Sequence, residues 1–489
     1  MNIFDRLREK NSVIKWLVNF QKSIFYPIVF AAICIISSSN GINVYIPLVW
    51  LLASSVIFSA LFTDDLKVFL VPFFMIYYAI GMDYEDSFIQ TNGEILARFE
   101  PKALIHFVIC GTIMVAFLIY KLIVSGAIKN ILATRGVFLW GILALDFAFL
   151  LNGAFSPEWV PMDLVYGALN AAVLTLTYLI FLGIFRTCRE DIVPYAAKTM
   201  VCFGYMVLTQ VLALCYKLYL NNEFFSRNHL GEIIGVARIN IFLSWGISTI
   251  IGSVVTLAIP SAFYLAYKHK FGIFFYISAF AFWGTAFMVN TRSAVLCGFV
   301  AIVISIVVCC KEGTNKKKNR ILTGSFIALG MLAFAILIVK LDMSEIVKEI
   351  LSIFRLGTGD GSGREELWGN GWNDFISSPV FGTGFANGAH SEEFVIENVY
   401  SNMYHNIIVQ MLGAMGVVGL IAFIIHIISI VRVFFKKLSG EKIILMLTPL
   451  LILAMSLFDN FFFYPNFQIV YTAFLVCVET FFLKENNKT

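Results

Sequence analysis

The sequence predicts an all-α, polytopic integral membrane protein of about 14 transmembrane helices, with a long extracytoplasmic loop before the third-last helix. The first ground is composition: the 489 residues are 59% hydrophobic and 16% aromatic but only 13% charged, more apolar surface than a water-soluble core of that length can hide. The second is length, since apolar stretches of roughly 20 residues, enough to cross about 30 Å of hydrocarbon, recur along the chain. The third is the placement of lysine and arginine, which favour alternate connecting segments as in proteins whose basic loops stay cytoplasmic.

Taken in order, the spans are expected near 23–39, 44–62, 67–83, 103–124, 136–156, 164–185, 192–219, 239–266, 271–290, 294–310, 321–341, 404–433, 443–458 and 466–483. The first 22 residues are charged and mostly polar. They show no apolar core followed by a small-residue cleavage site, so no removable signal peptide is expected and the first span should direct insertion. With the amino terminus inside, the inside segments carry 24 lysines and arginines and the outside segments 9, which places both termini in the cytoplasm. The contrast is sharpest between KEGTNKKKNR (311–320), inside, and NGAFSPEWVPMD (152–163), outside and without a basic residue.

The net charge of +4 is small, and without a basic face, zinc-finger spacing or RNA-binding signature no nucleic-acid partner is expected. The nine cysteines fall in apolar spans or, for Cys188, in a short basic loop, with neither a disulfide framework nor a CxxC site. No tandem repeat is visible.

Two outside segments are long, an acidic one around 84–102 and residues 342–403. In the second, IVKEILSIF (346–354) has the apolar spacing of a helix lying along the membrane surface. Ser362 followed by Glu365 forms a capping box, which predicts a helix from Gly363 that ends before Pro379. The run FGTGFANG then forms a glycine-rich loop.

Outside-facing cations are scarce, and three stand out. Arg238 opens a span, Arg292 occupies a tight outside turn, and Arg364 lies in the first turn of the loop helix. A guanidinium at headgroup depth has the planar donor fork that binds phosphate or diphosphate, but it equally anchors a helix to lipid phosphates. His405 stands where the long loop enters the next span, and an imidazole of unperturbed pKa about 6.5 suits a general base there; a helix-capping histidine fits the same position. No ligand cluster such as HExxH is present, so neither a metal nor another cofactor is expected. Asp146 falls mid-span, where a carboxylate is functional or is neutral and bonded to a neighbouring helix. Trp368, Trp372 and FDNFFFYPNF (458–467) suit sugar or prenyl stacking, with an interfacial aromatic belt the simpler reading; Asp459 and Asn460 add polar groups at that face. The glycines of GAMGVVG read as close helix packing.

The order of these features resembles the O-antigen ligase and polymerase superfamily, bacterial membrane enzymes that move glycans off a polyprenyl diphosphate carrier. The matching pieces are Arg238 with Asn240, then Thr291, Arg292 and Ser293, GREELW (363–368), SPVFGTGFAN (378–387) and HNIIVQMLGAMGVVG (405–419). They cover residues 238–420, while the first 230 residues match only in being hydrophobic spans. The chain departs from the pattern at Ala414 and Met415, where an acidic residue is common, and at Thr291, where a serine is common.

The resemblance implies a multi-pass protein of the bacterial cytoplasmic membrane. His405, Arg292 and Arg238 would be catalytic, the histidine activating an acceptor hydroxyl and the arginines binding the carrier diphosphate. Arg364, Asn406, Asn240, Trp368 and Asp459 would bind substrate, and the glycine-rich loop would give the moving glycan room. Partners would be the polyprenyl-diphosphate-linked glycan, an acceptor glycan or lipid, membrane lipids and other polysaccharide-assembly proteins. A polymerase of repeat units is the leading expectation, a ligase passing a finished glycan to a lipid or protein the alternative. A transporter of lipid-linked sugars, with Asp146, Lys198 and Lys217 as relay, is the competing class. The chain divides accordingly into spans at 1–230, central spans at 231–341, the loop at 342–403 and carboxy-terminal spans at 404–489.

Overall fold

In hydrocarbon every backbone N–H and C=O must be paired within its own segment, so apolar runs of this kind fold as helices. The computed structural model describes residues 3–39, 42–80, 101–133, 136–188, 192–220, 243, 245–269, 272–340, 364–386, 403–436 and 438–486. Among them the chain is helical, the only extended pairing being the isolated bridge Leu243–Gly246.

The first helices are α1 (Ile3–Lys10), α2 (Ser12–Lys22), α3 (Phe25–Ser38), α4 (Ile42–Phe62) and α5 (Leu70–Met75), the last flanked by 3₁₀ turns. Then come α6 (Pro101–Val124), α7 (Ala127–Ala133), α8 (Leu139–Leu150), α9 (Pro161–Cys188) and α10 (Ile192–Leu220). The centre holds α11 (Ser248–Thr256), α12 (Ile259–Lys268), α13 (Ile273–Met288), α14 (Arg292–Glu312) and α15 (Lys316–Lys340). The rest are α16 (Arg364–Ser377), α17 (Ile407–Phe435), α18 (Gly440–Met455) and α19 (Pro465–Asn486).

Helices occupy each of the apolar stretches marked in the sequence, but they are not all alike. Seven spans are long and apolar enough to cross a membrane, or eight if α2 and α3, bent by 83°, count as one. Leu66–Ala79, α8 and α13 are shorter apolar segments. The α11–α12 span (Ser248–Lys268) is 94% buried, so it runs through the middle of the bundle rather than along its lipid face. The predicted loop helix is present as α16, within a residue of the expected limits; the amphipathic stretch 346–354 lies outside the described residues.

The bundle has two chemically distinct ends. The Gly440 N–H donates to Glu312 Oε2 at 2.8 Å and Lys268 pairs with Glu441, so the carboxy ends of α12 and α14 meet the amino end of α18. The basic run 311–320 belongs to this end. Because α14 and α18 pack antiparallel, Arg292 at the start of α14 lies at the opposite end, together with the residues that follow Met455.

Helix α17 is broken at Gly416, whose φ of 63° and ψ of −155° suit glycine alone. The segment after α16 fills the break. Thr383 N–H donates to Gly413 O at 2.9 Å and Gly384 N–H to Ala414 O at 3.1 Å, while Val417 and Val418 donate to Pro379 O and Val380 O at 2.9 and 3.2 Å. The GAMG glycines therefore do more than pack helices. Gly413 does abut the Tyr404 ring, but Gly416 opens the helix so that a loop can be stitched into it.

The far side of that loop is pinned as well. Asn152 accepts from Phe385 N–H and Asp163 from Ala386 N–H, while a Cβ on Gly384 would lie 2.4 Å from the Asp163 carboxylate. The expectation of a loop loose enough to give a glycan room fails for residues 379–386, because their backbone is bonded on both sides. The aromatic-belt expectation fails for Phe461, Phe462 and Phe463, which are buried, packed among Phe149, Phe385 and Tyr471. Asp146 is buried and accepts from the Thr175 hydroxyl on α9, the neighbouring-helix arrangement.

Candidate active site

At the Arg292 end, Asn406 caps α17. Its Oδ1 accepts from Ile408 N–H at 2.9 Å and Val409 N–H at 3.2 Å, and its Nδ2 donates to Leu457 O at 3.0 Å. Ile407 N–H donates to Ser456 O at 2.8 Å, so the start of α17 is tied to the chain leaving α18. Its side chain thus serves as a cap and a cross-tie.

His405, immediately before the cap, has φ of 50°, a left-handed conformation that strains a residue carrying a Cβ. Its neighbours enforce it: Tyr404 N–H donates to Gln410 Oε1 at 3.1 Å, and Tyr404 OH to Asp374 Oδ2 of α16 at 2.5 Å. The conformation turns the imidazole to Asp459, with Nδ1 to Oδ1 at 2.9 Å. The histidine side chain is 41% exposed and the aspartate side chain 12%, so a wet ring leans on a mostly buried carboxylate. Asn460 N–H donates to the same Oδ1 at 2.8 Å. Burial, with the Asp459 carboxylate beside it, raises the Tyr464 phenol and keeps it protonated.

Since Asp459 accepts from Nδ1–H, the neutral ring keeps its lone pair on Nε2, which has no hydrogen bond among the described residues. An imidazole held by a carboxylate through one nitrogen, with the other turned to solvent, can take a proton from a hydroxyl. Asp459 therefore holds the histidine.

Arg292 is the first residue of α14, after a turn in which Asn290 has φ of 52°. The turn is bolted to α11: Thr291 OH donates to Ser248 O at 2.7 Å, and Gly252 leaves the room that Thr291 fills. Arg238 and Asn240, a few residues upstream of that anchor, lie outside the described residues. Arg364 opens α16, and one turn further along the same helix face stand Leu367 and Trp368. That face docks beside the histidine: Leu367 clusters with Tyr404 and Val409, and a Cβ on Gly371 would meet Val409 at 2.4 Å. Trp368 and Trp372 remain 38% and 55% exposed.

The structure thus bonds His405 directly to Asp459, ties the adjacent Asn406 to Leu457, seats the helix of Arg364 and Trp368 against Tyr404, and puts Arg292 at the same end of the bundle. Sequence reasoning missed Tyr404, Asp374 and Gln410, which hold the histidine, and Asn152 and Asp163, which hold the loop. A buried acidic residue opening a span was the only signal for the last. Among the described residues no group of three His, Cys, Asp or Glu side chains is placed to hold a metal.

A helical, multi-pass membrane protein with a carboxylate-held histidine at one end is the class that fold and geometry define. Residues 277–424 match the family model described as O-antigen ligase, which bears out the resemblance to the O-antigen ligase and polymerase superfamily. The match takes in Arg292, Arg364, Trp368, His405 and Asn406, and stops short of Asp459. No curated protein matches the chain.

Proposed function

We propose that this protein is a glycosyltransferase of the bacterial cytoplasmic membrane that extends a surface polysaccharide by transferring glycan from a polyprenyl diphosphate carrier. The observation that carries the reading is the His405–Asp459 pair, in reach of water at the end of the bundle away from the basic run 311–320. That end then faces outward, with both termini cytoplasmic, and the helices that fall short of a full span complete about 14 crossings.

In the reaction, an acceptor hydroxyl gives its proton to His405 Nε2 while its oxygen bonds to the anomeric carbon. The bond from that carbon to the carrier's phosphate oxygen breaks, and polyprenyl diphosphate leaves with the electron pair. Asp459 fixes the histidine tautomer and stabilises the imidazolium that forms. Arg292 and Arg238, with Arg364 from α16, supply permanent positive charge to the diphosphate as negative charge grows on it. Trp368 stacks on a sugar ring, and Asn240 contributes a polar contact beside Arg238.

The test is purified protein with a lipid-linked oligosaccharide repeat unit, products resolved by size. A ladder of longer lipid-linked glycans, lost in His405→Ala and Arg292→Ala at matched folding yield, supports a polymerase. The family description favours keeping a second reading, a ligase, which would transfer only after a separate acceptor is added. Carriers left intact in both formats, with labelled lipid crossing vesicles, would sink the transferase reading in favour of transport.

A further inference from the structure

At the end of the bundle opposite His405, a 640 Å³ groove runs between α3, α10 and the α12–α13 corner. Its α10 wall includes one helix face, Lys198, Cys202, Tyr205 and Thr209, and apart from His269 the rest of the lining is apolar. From Lys198 to Thr209 the helix rises about 16 Å, half of a hydrocarbon thickness of about 30 Å. The groove is therefore one leaflet deep. It opens sideways to the lipid, since Ile28 and Phe274 on its rim are 48% and 52% exposed.

Its chemistry changes at one point. Lys198 and His269 line the mouth, and both also line a smaller, more polar hollow next to it that contains Lys268. Lys268 is paired with Glu441. Lys198, half-buried in the wall, has no ion pair or hydrogen bond among the described residues. An ammonium with no partner among the described residues, at the polar end of an apolar slot one leaflet deep, is complementary to a single kind of bilayer component, a chain with an anionic head.

We propose that this groove is a binding site for an acidic phospholipid of the adjacent leaflet, its acyl chain along α10 from Cys202 to Thr209 and its phosphate at Lys198 and His269. The site is independent of the glycan chemistry at the other end. A lipid seated there fills a gap between α3, α10 and α13 and couples the packing of those helices to the acidic-lipid content of the membrane.

The test uses the full-length protein in detergent micelles with phosphatidylglycerol and phosphatidylcholine of identical acyl chains, and counts tightly bound lipid by native mass spectrometry. The wild type should prefer phosphatidylglycerol. One basic side chain near a membrane surface is worth about five-fold in binding an acidic headgroup, so Lys198→Gln should lower the preference by about that factor and leave total bound lipid unchanged. Lys198→Arg should keep it. Thr209→Trp, which obstructs the apolar end, should reduce both lipids alike. An unchanged preference in Lys198→Gln, undiminished binding in Thr209→Trp, or displacement of the lipid by inorganic phosphate alone would each overturn the proposal.

Discussion

Replacing Asp459 by asparagine preserves shape and removes one charge, and the structure fixes which way the new amide must turn. Asn460 N–H and His405 Nδ1 both reach Asp459 Oδ1, at 2.8 and 2.9 Å. An amide NH₂ cannot face the Asn460 N–H, so the variant presents its oxygen at that point and the histidine keeps its proton on Nδ1. What is lost is the difference between a charge-assisted and a neutral hydrogen bond, roughly 1.5–3 against 0.5–1.5 kcal/mol. That is about 1–1.5 kcal/mol, or about ten-fold in kcat. Asp459→Ala removes the orientation as well and should cost about a hundred-fold, below the ceiling of about 10²–10⁴ set by losing the general base in His405→Ala. The assay is single-turnover extension of a lipid-linked repeat unit. Groups that act as a unit are non-additive, so Asp459→Ala should cost almost nothing further once His405 is alanine. The reasoning is refuted if Asp459→Asn is as slow as His405→Ala, or if the double variant shows the product of the single losses.

Gly416→Ala forces an L side chain into a glycine conformation and sets its Cβ 2.5 Å from the Val380 backbone; strain alone is about 1–3 kcal/mol, and thermal unfolding in nanodiscs should show a clear fall in Tm. Asp163→Ala orphans the N–H groups of Val160 and Ala386 and should cost roughly 2–4 kcal/mol, read as lower Tm and faster proteolysis after Phe385. Tyr404→Phe removes the bond to Asp374 that ties α16 to the base of α17; trypsin should then cut at Arg364 several-fold faster, with Tm lowered by about 1–3 kcal/mol of stability.

The helices were legible because a bilayer leaves hydrophobic length as nearly the only variable, and the loop helix because Ser362 and Glu365 spell its cap. Span lengths were less so. The segment at 67–83 reads as a continuous apolar run, yet Leu66–Ala79 folds as a short α-turn between 3₁₀ turns, a distinction set by neighbours that hydropathy does not see. At the site, His405 and Asn406 were legible through position and Arg292 through its rarity on that face. The role of Asp459 was not, because its partner is 54 residues away and only the antiparallel return of α18 closes that distance. FDNFFFYPNF illustrates the same limit: aromatics beside a span end look like a belt until the tertiary fold turns Phe461 to Phe463 inward. Glycine spacing in GAMG carries packing and chain-breaking meanings alike, and the positive φ at Gly416 decides between them.

The break also explains how a histidine can sit at positive φ. The short first half of α17 is held at its start by Ser456, Leu457 and Asp374 and at its end by the loop bonds to Gly413 and Ala414. Fixed by bonds at both ends, it cannot relax to relieve His405. Left-handed geometry costs a residue with a Cβ about 1–2 kcal/mol more than glycine, whereas in ordinary helical or extended positions glycine is the weaker residue by about 0.5–1 kcal/mol. His405→Ala and His405→Gly both delete the imidazole and both lose the bond to Asp459, so their difference isolates the backbone. The glycine variant should be the more stable by about 1–2 kcal/mol, measured by thermal unfolding of the two in the same nanodiscs, while neither transfers glycan. If the alanine variant is the more stable, the strain at His405 is not real and the enforced aim of the ring at Asp459 goes with it.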